Sequence, residues 1–124
     1  MHEIELKLPA QRNMMLVIRL TTAGVIARAG LGVDRMDDVK MAVVEACSCL
    51  MGENASGMLN LNFAKADGQL MIRVCADDGC SAPPANRDEL LVEKCILESL
   101  VDDVQLHVRD AAVCGVDLRI ALEA

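Results

Sequence analysis

Glu45 and Cys49 stand four residues apart in a segment of helical periodicity, so a carboxylate and a thiol share one helix face. Asp77-Asp78-Gly79 closes a stretch that alternates like a strand, and taken alone it is ordinary turn chemistry. The remaining reactive side chains are thiols. Cysteines fall at 47, 49, 75, 80, 95 and 114, with no Cys-x-x-Cys pair. Neither His2 nor His107 completes a zinc-finger spacing, so no metal-ligand set is read from the sequence. Most of these cysteines lie in apolar stretches and read as small buried hydrophobes.

These residues must be positioned by a small set of elements. Residues 3–8 alternate, with Ile4, Leu6 and Leu8 on one side, which predicts a half-buried strand. Pro9 suits the first turn of a helix over 10–29, whose apolar stripe is Met14, Val17, Ile18, Thr21 and Val25. Gly30 and Gly32 end it. Asp34 is the expected N-cap of a second helix, with Asp37 as the capping-box acid. Its stripe is Met36, Val39, Val43, Ala46, Cys47 and Leu50, which leaves Glu45 and Cys49 on a face turned away from the core. Glycines 52 and 57 bound a turn-rich connection to strands at 58–65 and 69–76, joined by Asp67-Gly68 as a hairpin. A Pro-containing loop at 81–86, a helix over 87–102 and strands at 103–109 and 115–122 complete the chain.

The order β-α-α-β-β-α-β-β predicts an α+β fold. It is expected to be a two-layer α/β sandwich, its mixed, mostly antiparallel sheet covered on one face by helices. A length of 124 residues is one domain's worth, taken as 1–124. With one Phe and no Trp or Tyr, the core must be built from aliphatic side chains, Met and Cys, and the eight Met read mainly as core filler. A net charge of −7 without any basic run argues against nucleic acid and anionic membrane surfaces, and favours a protein partner with a basic face. No apolar run reaches the length of a membrane span, and the acidic, alternating start is unlike a signal peptide, so a cytoplasmic location is expected.

The joints of this order carry a resemblance. Residues 17–21 through 27–30, Asp37-Asp38-Val39-Lys40-Met41-Ala42-Val43-Val44-Glu45-Ala46-Cys47, Val74-Cys75-Ala76-Asp77-Asp78-Gly79 and residues 97–104 together resemble the anti-sigma-factor serine kinases. These are compact members of the Bergerat-fold, histidine-kinase-like ATPase superfamily. The resemblance covers essentially the whole chain. It implies that Glu45 is the general base of a phosphoryl transfer, that Asp77 and Gly79 receive adenine, and that position 49 is the Asn whose oxygen holds Mg²⁺. Here that position is Cys49, and a thiol is a poor ligand for a hard cation. The glycines that end the family's ATP lid correspond to Leu91 and Glu93, and Glu93 would set a negative charge where phosphates belong. The hydroxyl residue that supports the adenine Asp corresponds to Asp117, a second carboxylate expected to repel Asp77.

With its magnesium ligand, lid and adenine support all altered, the site implies an anti-sigma-like regulator without kinase activity and without a cofactor. Its implied partner is a sigma factor or an anti-anti-sigma antagonist, bound through a surface that includes Arg19, and it is implied to be a homodimer. The alternative is an active ATP- and Mg²⁺-dependent serine/threonine kinase built on the kept Glu45, Asp77 and Gly79. A third reading sets Cys49 and Cys80 at the edge of the former nucleotide pocket, where two thiols could hold a soft metal or form a regulatory disulfide.

Overall fold

A computed structural model describes residues 3–51, 57–77 and 84–122. The elements follow the expected order: β1 (Glu3–Pro9), α1 (Met15–Ala29), α2 (Val33–Cys49), β2 (Met58–Ala66), β3 (Gln69–Ala76), α3 (Arg87–Glu98), β4 (Asp103–Arg109) and β5 (Ala112–Ala121). The sheet order is β1-β2-β3-β5-β4. Every pairing among the described residues is antiparallel, so the parallel component of a mixed sheet is not seen there. Antiparallel neighbours need only tight turns, and both hairpins have them. Asp67 and Gly68 both take positive φ, as do Asp110 and Ala111.

One face of the sheet is buried by period-2 alternation: Leu59, Leu61 and Phe63 on β2, Leu70, Ile72 and Val74 on β3, Val116, Leu118 and Ile120 on β5. Against it lie α1 and α2, the latter through Val39, Ala42, Val43, Ala46 and Cys47. Thr22 is a buried polar residue in this layer, and its Oγ1 donates to the Ile18 carbonyl at 2.7 Å, so no donor is stranded. Met51 is buried and Met14, Met15 and Met36 pack partly on the core, whereas Met41 is exposed.

Several local expectations are corrected. Pro9 is the last residue of β1, opposite Met58, rather than part of a helix. An edge strand tolerates a residue without an N–H. A short 3-10 turn, Arg12–Met14, then leads into α1, and the later start rotates the buried stripe to Ile18, Thr22, Val25, Ile26 and Ala29, leaving Val17 exposed. Helix α2 is capped by the extended Gly32 without any side-chain bond, and Asp34 lies in its first turn, where a negative charge complements the helix dipole. The capping box belongs to α3: the Asn86 side chain accepts from the Glu89 N–H and the Glu89 side chain accepts from the Asn86 N–H. Helix α3 stops at Glu98, because the next residues join the sheet. The Asp102 N–H donates to Arg119 O, and Asp102 Oδ2 accepts from Ala121 N at 2.6 Å and from Arg35 at 3.1 Å. Strand β5 begins at Ala112 rather than 115, since the β4–β5 turn takes only two residues and a bulge at His107/Val108 absorbs the offset.

Ala111 at φ 63 is the costlier residue of that turn: Asp is among the few types that visit the left-handed region readily, whereas an Ala there costs about 1 kcal/mol. It is exposed. Ala111→Gly is therefore expected to raise the thermal midpoint by a few degrees, about what 1 kcal/mol gives a domain of this size. An unchanged or lower midpoint in a calorimetric melt would show that the turn is not strained.

Candidate functional site

Helix α2 buries one stripe in the sheet. Both Glu45 and Cys49 were expected on a face turned away from the core. Glu45 lies off the stripe, whereas Cys49, one turn on, does not look away from the core but sits at the stripe's edge, packed partly on the core. This side of the helix meets α3. The capping box fixes where α3 begins, and Leu97 is its buried anchor. Leu90, packed partly on the core, lies seven residues earlier on the same face. Glu93 falls between them, three after Leu90 and four before Leu97, and so turns inward. Donor atoms of Glu45, Cys49 and Glu93 all lie within 4.8 Å of one another. Each residue is half-buried, and Glu93 Oε1 is fully buried with no hydrogen-bond partner.

The electrostatics follow from this crowding. The Glu45 carboxyl is pushed up to about 7, first because its protonated form can hydrogen-bond Glu93, then by burial, then by the like charge of Glu93. Burial, followed by Glu93 and Glu45, holds the Cys49 thiol far above its ordinary range. Burial alone pushes Cys47 up to about 12, which leaves it an inert core residue.

Magnesium-bridged phosphates do not fit these residues. Mg²⁺ takes oxygen ligands and usually shares them with the phosphates it neutralises. Here a thiol replaces the expected amide oxygen, and a second carboxylate stands beside Glu45. Leu91, at the other expected lid glycine, is 61% exposed and points out of the site. Asp77 directly follows β3 and is exposed, its N–H donating to Met58 O at 3.1 Å. Gly79 and Cys80 lie outside the described residues, as do most of the turn-rich stretch at 52–57 and half of the loop at 81–86.

Asp117 is not where the resemblance set it. It pairs in register with Arg73, four residues back along β3 from Asp77, and it alternates with the buried Val116 and Leu118, so it lies on the sheet's outer face. Arg73 grips both its oxygens, Nε to Oδ1 at 2.8 Å and Nη2 to Oδ2 at 3.3 Å, and His107 Nε2 lies 2.9 Å from Oδ2. Burial pushes this carboxyl up, but the bonds from Arg73 and His107 outweigh it and hold it below the usual carboxylate range. The expected repulsion between Asp77 and Asp117 therefore does not arise, and Asp117 is a neutralised cross-strand partner. The cue was available: on a period-2 strand, a residue between Val116 and Leu118 cannot face the helices.

Arg19 is exposed on α1. It lines an open groove between α1 and α2 with Leu16, Leu20, Met41 and Val44, about 690 Å³ in volume. Leu16, Leu20 and Met41 are 63%, 65% and 58% exposed. Glu45 borders the far side of the same groove.

No family model matches the chain. Over 82 residues it is 38% identical to the serine-protein kinase RsbW of Bacillus mycoides (strain KBAB4), covering 64% of this chain and 51% of that protein. It is 37% identical over 82 residues to RsbW of Bacillus subtilis (strain 168), covering 63% and 51%. The chain thus spans about half the length of the curated relatives it matches. Its fold matches a crystal structure of the RsbU and RsbW domains of Rv1364c from Mycobacterium tuberculosis, with a TM-score of 0.72 over 98% of this chain and 33% of that one, at 18% identity. The relatives bear out the resemblance to the anti-sigma-factor serine kinases, and the structural match bears out the fold.

The raised Glu45 carboxyl makes stability depend on pH. Folding holds this proton more tightly than the unfolded chain does, so the contribution is complete below about pH 4.5 and is lost as pH rises through about 7. In metal-free buffer, Glu93→Gln removes the opposing charge. The midpoint gap between this variant and the wild type should widen in the variant's favour from about pH 5 to about pH 8. A gap independent of pH would show that the two carboxyls are not coupled.

Proposed function

We propose that this chain, a homologue of the RsbW serine-protein kinases, is an anti-sigma-type regulator that binds a protein partner and does not transfer phosphate. The observation that carries the reading is the inward Glu93, whose carboxylate lies against Glu45 and Cys49. In the resembled kinases the matching helix face looks onto nucleotide phosphates. A carboxylate fixed there repels phosphate, and the thiol of Cys49 offers no hard ligand to neutralise either charge. Glu45 then has nothing to activate, and the neighbouring Glu93 helps push its carboxyl up to about 7.

The partner is a sigma factor or an anti-anti-sigma antagonist, as the resemblance implies, and the dimer is part of the same proposal. The groove around Arg19 supports this part of it. A cationic guanidinium ringed by exposed Leu16, Leu20 and Met41 is the composition of a binding anchor rather than of ordinary solvated surface.

Two measurements test the reading. Calorimetry with ATP and Mg²⁺ should give no binding in the micromolar range; micromolar binding, with phosphate transfer to a co-purified antagonist, would restore the active-kinase alternative. Affinity capture from the source bacterium should recover a sigma factor or an antagonist. Arg19→Glu, a change at an exposed position that should leave the fold intact, is expected to weaken that complex by about tenfold or more. Recovery of neither class of partner, or an Arg19→Glu variant that binds as well as the wild type, counts against the proposed interface.

A further inference from the structure

We propose that Glu45, Cys49 and Glu93 form a binding site for one borderline-soft divalent cation of the zinc class, which joins α3 to α2 without any nucleotide. This site differs from the magnesium site implied by the resemblance in its donors, in the helix that completes it and in the kind of ion it suits. It does not depend on the proposed partner.

The first argument is the donor set. Two carboxylate oxygens and a sulfur converge from two helices, with every pair of donor atoms within 4.8 Å. Zinc bound by oxygen and thiolate at its usual lengths holds neighbouring donors about 3.5 Å apart. Rotation of two flexible Glu side chains closes that difference without moving either helix. The i, i+4 spacing of Glu45 and Cys49 fixes one edge of the triangle, and the capping box of α3 together with buried Leu97 fixes the third vertex.

The second argument is an unmet need at the same spot. Glu93 Oε1 is fully buried without a hydrogen-bond partner. Among the described residues no lysine or arginine pairs with Glu45, Cys49 or Glu93; Arg12 donates to Ser48 Oγ at 3.0 Å, and Lys40 pairs with Asp37 at 3.2 Å. A buried carboxylate oxygen with no counter-ion, and no donor beyond a proton that Glu45 or Cys49 would have to keep, is costly, and a metal ion is one of the few partners that can satisfy two carboxylates at once.

The third argument is selectivity. A lone pair of carboxylates would suit Mg²⁺ or Ca²⁺, but the sulfur shifts the preference toward Zn²⁺ and its borderline neighbours. Three protein donors leave a fourth position for water or for a side chain of a bound partner. Binding would release the Cys49 thiol proton and any proton held between the two carboxyls, both to solvent, with no change of oxidation state.

The experiment uses the full chain, stripped with a chelator and titrated with Zn²⁺ against a chromophoric competitor, and with Co²⁺ as a spectroscopic probe. One equivalent of Zn²⁺ should bind, and Co²⁺ should give a thiolate-to-metal charge-transfer band. Cys49→Ser should abolish that band. Cys49→Ser and Glu93→Gln should each weaken Zn²⁺ binding by about tenfold or more, while Cys95→Ser, at an exposed thiol on α3, changes neither readout. Circular dichroism of each variant confirms that it is folded. Failure to bind Zn²⁺, equal competition by Mg²⁺, or an affinity that falls with Cys80→Ser but not with Glu93→Gln would each overturn the site. ATP is absent throughout, so the result is independent of whether the chain is a kinase.

Discussion

Where α3 lies against the last turns of α2, two carboxylates and a thiol share a small, partly dry space. Like charges in such a space cannot all ionise without a counter-ion, and the described residues provide none. Something must hold the cluster neutral enough to pack, whether a proton on Glu45 or a bound cation. The chemistry open to this face of α2 follows from that requirement. A phosphate group would add negative charge to a place that already has too much.

The rest of the fold delivers that juxtaposition. A sheet buried on one face needs helices on that face, and α2 meets the need through Val39, Ala42, Val43, Ala46 and Cys47. Burying that stripe leaves Glu45 off it and Cys49 at its edge. Helix α3 has little apolar surface to bury, with Leu97 its one fully buried residue and Leu91, Val92 and Ile96 exposed. It is held instead by its ends: the Asn86–Glu89 capping box at one, and the Asp102 bonds to Arg35, Arg119 and Ala121 just beyond the other. Fixed at both ends, the helix has no freedom to turn Glu93 outward while Leu90 and Leu97 face in.

Much of this was legible in the residues. The alternation in β1, β2 and β3, the Asp67-Gly68 turn and the α2 stripe each have one strong local cause, and each was found where expected. The boundaries that moved were those set by distant partners. Pro9 reads as a helix starter until Met58 pairs opposite it. Residues 99–102 continue an apolar helical pattern until Asp102 is seen bonded to the sheet. Asp117 was placed by matching a family position, although its strand neighbours Val116 and Leu118 already assigned it to the outer face. Glu93 was read as a charge where phosphates would sit, and its closeness to Glu45 needed the packing of α3 on α2, which no single segment encodes.

The departures from the resembled kinases are therefore not equal in kind. Asp117 lies apart from the carboxylate and thiol cluster, on the outer face of the sheet, where Arg73 pairs with it. Leu91 is a surface residue. On the proposed reading, Cys49 and Glu93 act together. Cys49 by itself removes one oxygen ligand. Glu93 by itself adds one negative charge that a well-held magnesium ion could offset. Placed within 4.8 Å of each other and of Glu45, they replace a hard, phosphate-bridged arrangement with a crowded, acidic and sulfur-bearing one. A cation held by this pair and Glu45, as proposed, would tie α3 to α2, a different use of the same helix face from holding a nucleotide.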